Sequence, residues 1–193
     1  DGHHIARSKG HTKFIDCRIA FQNDDGFNWH DCFTLGVPHG ARRLRITQKR
    51  GYAYFGAVPG SEIELADAHF RPTGWTAVLR AVEGDDLVFD TPLPALHGEH
   101  FLVFDNTYRS DYVVMKGCTV SDTHFREIVQ PRHVTIEDCT FLRTGDGMNF
   151  LSAHAPELWC EGRGAHDVVV RNCRFVHTQT LADWAKGGDW PEF

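Results

Sequence analysis

The sequence predicts an all-β chain, a right-handed parallel β-helix interrupted by a small inserted antiparallel β-barrel. Two observations carry this prediction: a cysteine-centred pattern that recurs along the chain, and a middle section of short alternating strands with tight turns. Residues 1–50 and 107–193 are assigned to the coils of the β-helix, and residues 51–106 to the barrel. The helical pattern is confined to Leu181–Lys186, enough for one or two turns.

The recurring pattern places an apolar residue three positions before a cysteine and another two positions after it. The cysteines with this pattern are Cys17, Cys118, Cys139 and Cys173. Cys118 and Cys139 lie 21 residues apart, a spacing that suits one coil stacked on the next at ~4.8 Å. Because equivalent residues of stacked coils form ladders, the four are predicted to be a ladder of thiols in the core. Cys32 and Cys160 lie outside the pattern and are not placed.

A second repeat supports the same register. Residues 25–29 read Asp-Gly-Phe-Asn-Trp and residues 146–150 read Asp-Gly-Met-Asn-Phe, and each segment follows a cysteine of the pattern by seven or eight residues. Glycine allows a corner with positive φ, and asparagine can bond its own backbone through a turn. The two segments are therefore expected at equivalent corners of different coils.

The middle of the chain breaks the cysteine period and alternates apolar with polar residues. Candidate strands are Glu62–Ala68, Thr76–Val82, Asp86–Asp90 and His100–Asp105. Turns are expected at Gly84-Asp85 and at Pro92–His97. Four or five antiparallel strands over about 55 residues suggest a small barrel inserted between coils.

Composition excludes several classes of protein. The chain has 193 residues with a net charge of −6, and it is 41% hydrophobic and 24% charged, which is ordinary for a globular protein. The longest apolar runs, such as Leu102–Phe104, are too short to cross a bilayer. Net acidity argues against nucleic acid as the main partner. The basic run Arg42–Arg50 is interpreted as a solvated strand, with a contact to an acidic glycan as the alternative.

No C-x-x-C pair of cysteines is present, and the histidines are scattered without the spacing of metal ligands. We therefore expect no cofactor and no required metal. The chain begins with Asp1 and shows no signal peptide. We expect it to be an interior piece of a longer protein, and a homo-oligomer is compatible with the sequence.

The strongest candidate site is a group of carboxylates near the start of the chain. Asp1 precedes Asp24 and Asp25 by about one coil, so the three are expected on the same stretch of wall. Like charges so close raise the pKa of at least one carboxyl, which would place an acid beside a base. Glycoside hydrolysis requires that division of roles. The alternative is that Asp24 and Asp25 only cap the corner before Gly26.

Polar groups flank these carboxylates. His4 follows Asp1 closely, and Asn28, Trp29 and His30 follow the aspartate pair. Hydrogen-bonding groups beside an aromatic ring suit sugar recognition, so His4, Asn28 and His30 are predicted to bind substrate. Alternation along a strand would place Asn28 and His30 on one face and Trp29 on the other. The alternative is that the two histidines are satisfied polar residues of the wall.

Several segments together resemble one known family. They are Asp1–His4, Gly10, Asp16–Ile19, Asp24–His30, Phe125–Gln130, Val134–Ile136, Trp159–Gly164 and Val168–Asn172. The aspartate segment is similar to the central motif of glycoside hydrolase family 110, and the segment at Trp159 is similar to its Trp-x-Glu loop. That family consists of exo-acting α-1,3-galactosidases built on a pectin-lyase-like β-helix with inserted barrels.

The resemblance implies hydrolysis with inversion of a glycan that ends in α-linked galactose. It implies Asp24 as general acid, with Asp1 and Asp25 together positioning and deprotonating the attacking water. Trp159 would stack on the apolar face of galactose, while Glu161 and Arg126 would bind its hydroxyls. The family also implies a secreted, periplasmic or cell-surface location.

Two other functions are compatible with the sequence. A polygalacturonase-like hydrolase shares the Asp-Asp motif but needs basic residues for galacturonate, and these are sparse near the aspartates. A non-catalytic β-helix that binds carbohydrate would not depend on proton transfer, so it would tolerate Asp24→Asn.

Overall fold

The computed structural model describes residues 2–48, 56–150, 153–155 and 159–178. Asp1 and the predicted helical turn at Leu181–Lys186 lie outside these ranges. All regular structure of the described residues is β-strand, as the sequence predicts. Within the same ranges, no helix has the length and apolar character needed to cross a bilayer.

Twenty strands are described. In chain order they are β1 His3–Ala6, β2 Lys13–Ile15, β3 Arg18–Ala20, β4 Phe27–His30, β5 Phe33–Pro38, β6 Arg43–Ile46, β7 Glu62–Ala66, β8 Pro72–Glu83, β9 Asp86–Phe89, β10 Phe101–Asp105, β11 Val113–Lys116, β12 Thr119–Thr123, β13 Glu127–Val129, β14 Arg132–Glu137, β15 Thr140–Thr144, β16 Met148–Phe150, β17 Ala153–Ala155, β18 Trp159–Glu161, β19 His166–Arg171 and β20 Arg174–Val176.

The chain divides into two compact units. The coil unit comprises Asp1–His30, Ser110–Leu151 and Gly164–Phe193. The barrel unit comprises Asp31–Arg109 and Ser152–Arg163. The barrel is thus inserted into the coil unit between β4 and β11, and a shorter second excursion carries β17 and β18.

Three parallel four-stranded sheets form the coil unit. Sheet 1 contains β2, β11, β14 and β19, sheet 2 contains β3, β12, β15 and β20, and sheet 3 contains β1, β4, β13 and β16. The chain visits sheets 1, 2 and 3 in that order, and each passage, here called a coil, pairs in parallel with the one before it. Equivalent positions of successive coils therefore stack, and their inward side chains form one core.

The structure confirms the cysteine ladder. The backbone N–H of Thr119 donates to the carbonyl of Cys17, and that of Thr140 donates to Cys118, each at 2.9 Å. Cys118 and Cys139 are buried, whereas Cys17 and Cys173 are partly buried against the same core. Burial raises the pKa of Cys139 to about 11, so this thiol stays protonated and unreactive. The ladder is packing rather than chemistry.

The residue before each ladder cysteine turns the corner between sheets 1 and 2. All four have left-handed φ angles: Asp16, Gly117, Asp138 and Asn172. Aspartate, asparagine and glycine tolerate this conformation better than other residues. At Gly117 a Cβ atom would also collide with Oδ1 of Asp16. The polar or glycine position in the sequence pattern is thus a backbone requirement.

Six antiparallel strands close the barrel in the order β10-β5-β6-β9-β8-β7. Its core is apolar, and the buried members include Leu44, Ile63, Leu65, Leu79, Phe89 and Phe101. All four candidate strands between residues 62 and 105 are present, with β8 longer than expected.

The boundary between coils and barrel differs from the sequence assignment. Residues 1–50 were assigned to coils, yet β5 and β6 pair antiparallel within the barrel, where Phe33 lies opposite Phe104. The apolar alternation of β5 resembles that of a coil strand, because alternation reports one buried face and not the direction of the partner strand. The barrel unit therefore begins at Asp31.

Candidate acid–base site

A group of carboxylates lies where the chain turns into sheet 3 on successive coils. Phe27 of β4 pairs with Glu127 of β13, which pairs in turn with Met148 of β16. Asp25 and Asp146 each lie two residues before a paired position, so they occupy equivalent places in stacked coils. Asp24, Asp25, Arg126, Glu127 and Asp146 are called the carboxyl corner here.

Asp25 is the buried member of the aspartate pair. It is 8% exposed, and its Oδ1 accepts a hydrogen bond from the backbone N–H of Arg126 at 3.3 Å. Nε of Arg126 lies 3.9 Å from the same oxygen. The pKa of Asp25 is raised to about 6, mainly by burial and to a lesser extent by the charge of Asp24, while the hydrogen bond and the charge of Arg126 lower it. Asp25 therefore changes charge near neutral pH.

Asp24 differs from its neighbour in exposure. Its side chain is exposed, and its carbonyl accepts a hydrogen bond from the backbone N–H of Phe125 at 3.3 Å. One carboxyl of the pair is thus accessible while the other is desolvated. Unequal environments of this kind separate acid from base in carboxylate pairs.

Glu127 is a member of the corner that sequence reasoning missed. It is fully buried, and burial raises its pKa to about 8, with the charges of Asp25 and Asp146 adding to the shift. The Thr123 hydroxyl donates to its Oε1 at 3.3 Å, whereas Oε2 has no hydrogen-bond partner among the described residues. A Cβ atom at Gly26 would lie 2.7 Å from Oε1, so this corner needs glycine.

The signal for Glu127 was present but incomplete. It occupies a core phase held by Phe27 and Met148 in neighbouring coils, so a carboxylate there breaks the apolar pattern. Recognising the break requires the register of β13 on β4, which the barrel insertion hides in the sequence.

His4, Asn28 and His30 lie on one face of sheet 3. His4 pairs with Asn28, and Ile5 pairs with Trp29. Ile5 and Trp29 enter the core, so strand alternation places the polar residues on the opposite face. Nε2 of His4 and Nε2 of His30 are 2.7 Å apart, so one donates to the other. As alternation predicts, Trp29 does not share their face.

Two buried amides near this face lack partners. Oδ1 of Asn28 is buried without a hydrogen bond among the described residues. Oε1 and Nε2 of Gln130 are also buried without a hydrogen bond among the described residues, and Gln130 is only 1% exposed. Gln130 was not singled out from sequence. A buried amide without a partner is costly, so these atoms are candidates for contacts with a bound molecule.

The remaining predicted residues are divided between the units. Arg126 lies at the carboxyl corner with its guanidinium half-exposed. Glu161 belongs to the barrel unit, where it is 7% exposed and bridges to Cys32. Trp159 lies in β18 of the same unit, and its side chain and Asp1 are outside the described positions. The structure therefore brings together Asp24, Asp25 and Arg126 in one group and the sheet 3 residues in another.

A second buried charged group lies in the barrel unit. The Arg163 guanidinium contacts Asp31 at 2.7 Å and Glu64 at 3.0 Å, and it donates to Oδ1 of Asn106 at 2.7 Å. It also lies 4.5 Å from the centroid of the Phe104 ring. These residues are called the Arg163 cluster here. Its members are distant in sequence, so no local motif predicts it, and its two short ion pairs suit a structural role.

Among the described ranges, no three histidine, cysteine, aspartate or glutamate side chains are grouped as metal ligands. The residues of the carboxyl corner could instead exchange protons. Asp24 is accessible, Asp25 titrates near neutrality, and Arg126 holds the buried carboxylate in place.

No protein-family model and no curated protein matches this chain. Similar solved structures include the tailspike protein gp49 from Pseudomonas phage LKA1, at 12% identity and a TM-score of 0.27 over 88% of this chain and 35% of that one. The gp54 tailspike of Acinetobacter baumannii bacteriophage AP22, solved in complex with A. baumannii capsular saccharide, has 12% identity and a TM-score of 0.27 over 89% and 40%.

The Pseudomonas phage phi297 tailspike gp61 has 15% identity and a TM-score of 0.28 over 90% of this chain and 36% of its own. The chain thus spans 35% to 40% of the length of these three proteins. TM-scores this low do not establish a shared fold, so the functional argument rests on the residues of this chain.

Proposed function

We propose that this chain is part of an exo-acting glycoside hydrolase that releases terminal α-1,3-linked galactose with inversion, like members of glycoside hydrolase family 110. Its coils would be those of a right-handed, pectin-lyase-like parallel β-helix. The observation that carries the proposal is the pair at the carboxyl corner. Asp24 is exposed beside a buried Asp25 whose pKa is raised to about 6.

The two aspartates divide the chemistry in this proposal. Asp24 donates a proton to the glycosidic oxygen as the bond to the anomeric carbon breaks. Asp25, with Asp1 as its partner, accepts a proton from the water that attacks the opposite face, so the configuration inverts. A base with a pKa near 6 is stronger than an ordinary aspartate and is ionised at neutral pH. The backbone N–H of Arg126 orients it.

Sheet 3 supplies polar groups for sugar hydroxyls in the same proposal. Oδ1 of Asn28 can accept from a hydroxyl because no described residue satisfies it. The His4–His30 pair offers a donor and an acceptor whose roles can exchange. Arg126 keeps the binding role that the family resemblance implies, and the roles of Trp159 and Glu161 rest on that resemblance alone.

Of the two alternatives, sugar binding without catalysis has a specific observation in its favour. The unpaired amides of Asn28 and Gln130 would serve a binding module as well as an enzyme. A polygalacturonase-like activity is less favoured, because Arg126, the described cation of the carboxyl corner, already faces Asp25.

Proton NMR of the chain acting on α-1,3-galactobiose tests the proposal. Wild type should release β-galactose first, before mutarotation, and Asp24→Asn should lower the rate by about 10²- to 10⁴-fold. Asp90→Asn is the matched control, because Asp90 is 82% exposed in the barrel unit, and it should act like wild type. A folded chain that releases no galactose, or an Asp24→Asn variant with full activity, would contradict the proposal.

A further inference from the structure

An open groove lies on the coil unit at the corner between sheets 2 and 3. Its volume is about 340 Å³. Residues lining it include Phe21, Gln22, Asn23, Asp122, His124 and Arg143. None of these residues has a role in the chemistry described so far, although Asn23 directly precedes Asp24 in the chain.

Phe21 is the apolar residue at a corner position that is polar in the other three described coils. The strand register aligns Phe21 with Asp122, Arg143 and His177 of the following coils, and all four have left-handed φ angles between 50° and 59°. The other three coils place polar side chains there. The first coil instead holds a phenylalanine that is 77% exposed.

The position of Phe21 is unfavourable in two ways. Its backbone has a positive φ angle, which is rare for a bulky residue, and its exposed phenyl ring leaves apolar surface in water. Its ring stacks on no aromatic side chain of the described residues, whereas the exposed Tyr112 stacks on His11 at 5.0 Å. Unfavourable placements of this kind persist where they contact a ligand.

On the polar side of the groove, one positive and one negative side chain neutralise each other. Arg143 and Asp122 form a two-point ion pair at 2.5 and 2.8 Å. Asp122 already balances the charge of this guanidinium through Nε and Nη2, which weakens its attraction for a carboxylate on a ligand. The groove therefore favours a neutral ligand, for which Gln22 and Asn23 supply amide groups beside the exposed ring.

The groove and the candidate acid share one loop. The backbone N–H of His124 donates to the carbonyl of Gln22 at 2.8 Å, and that of Phe125 donates to Asp24 at 3.3 Å. These bonds hold residues 22–24 against the next coil, so the groove residues Gln22 and Asn23 and the candidate acid Asp24 follow one another on a single fixed loop.

We propose that this groove is a binding subsite for a neutral hexose, in which the Phe21 ring stacks on the apolar face of the sugar unit next to the scissile bond. The proposal rests on the glycosidase function, since it names the leaving-group side of that site. It also makes a neutral glycan, rather than a galacturonan, the substrate class.

Binding is measured by NMR titration of the Asp24→Asn chain, in which turnover is suppressed, with α-1,3-galactobiose and separately with digalacturonate. Phe21→Asn removes the ring but keeps a residue that tolerates positive φ, and it should raise Kd roughly five- to tenfold. Phe21→Trp should stay within about twofold of the parent because it retains a stacking ring. Tyr112→Asn is the matched control, an exposed aromatic with φ of 61° at another corner, and it should leave Kd unchanged.

Digalacturonate should bind at least about tenfold more weakly than galactobiose, because Asp122 already balances the charge of Arg143 and repels a ligand carboxylate. Equal affinity of Phe21→Asn and its parent, tighter binding of digalacturonate, or no binding of galactobiose would overturn the subsite. If wild type hydrolyses galactobiose but neither hydrolysis nor binding depends on Phe21, the glycosidase proposal holds and the subsite proposal fails. If binding depends on Phe21 but no hydrolysis occurs, the groove binds sugar and the glycosidase proposal fails.

Discussion

The carboxyl corner of the coil unit and the Arg163 cluster of the barrel unit both bury ionisable side chains, but they balance charge differently. In the Arg163 cluster the buried guanidinium has carboxylate oxygens of Asp31 and Glu64 within 3.0 Å. In the carboxyl corner, Nε of Arg126 lies 3.9 Å from Oδ1 of Asp25, and Glu127 forms no ion pair among the described residues.

The difference separates a structural site from a chemical one. A closely paired buried charge stays ionised, and removing one partner leaves the other stranded. A buried carboxyl without a close cation takes up a proton more readily, so its pKa approaches the pH at which enzymes work. Asp25 and Glu127 show this effect, with pKa values of about 6 and about 8. Substitutions in the two groups should therefore have different effects, on activity in the carboxyl corner and on stability in the Arg163 cluster.

The largest effect is expected at Asp25. Asp25→Asn should lower kcat for galactobiose hydrolysis by about 10²- to 10⁴-fold, because the proton acceptor is lost. The fold should persist, since a neutral amide costs less to bury than a carboxylate. Rates with α-1,3-galactobiose and a urea unfolding curve on the same sample check both parts. Full activity in the variant would assign Asp25 to the corner turn alone.

The Arg163 cluster should respond in the opposite way. Arg163→Met should lower the free energy of unfolding by about 3–5 kcal/mol, because Asp31 and Glu64 remain buried without their cation. Arg80→Met is the matched control. Arg80 pairs with Asp90 on the surface, where the two side chains are 53% and 82% exposed, so the urea midpoint should not move. Equal midpoints for the two variants would refute the structural role of the cluster.

Glu127 should make stability fall as pH rises. Its pKa is raised from 4.5 to about 8, so the folded state holds a proton that the unfolded state has released between those values. Its stabilising contribution is complete below about pH 4.5 and is lost as pH rises through about 8. Glu127→Gln should therefore be more stable than wild type by on the order of 2 kcal/mol above pH 8.

Urea unfolding of the two proteins at several pH values checks this prediction. The difference between them should shrink towards acidic pH, where Glu127 is protonated in both states. A constant difference across the whole range would mean that Glu127 does not titrate in the folded corner as described.

The smallest effect is expected in the cysteine ladder, which has no charge to balance. Cys139→Ala removes a fully packed sulfur and should cost about 1 kcal/mol of unfolding free energy. Cys17→Ala, at the partly buried end of the ladder, should cost less. Neither change should alter the pH profile of hydrolysis. A shifted profile in either variant would show that the ladder influences the carboxyl corner.

The coils were predictable because each repeats its own geometry. The residue before every ladder cysteine needs a left-handed φ, and the sequence shows it as aspartate, asparagine or glycine. The barrel strands from Glu62 onward were predictable from alternation. β5 and β6 were not, because their alternation is equally compatible with a coil.

The candidate site was only half predictable for a related reason. Asp24 and Asp25 stand out as adjacent carboxylates before a glycine. Arg126 contacts Asp25 from 101 positions away, and Glu127 follows it, so the barrel insertion separates the two sides of the corner. A sequence period cannot be followed through an insertion of unrelated structure, and the buried charge at Glu127 becomes visible only when β13 is placed on β4.

The most direct test of the account is the pH dependence of kcat/KM for α-1,3-galactobiose in wild type and Asp25→Asn. We predict a bell-shaped wild-type profile with one limb near pH 6, because Asp25 must be ionised while Asp24 keeps its proton. The residual activity of Asp25→Asn should lack the limb near pH 6. A wild-type profile with no limb near pH 6, or a limb there that survives in Asp25→Asn, would remove the carboxyl corner from the chemistry.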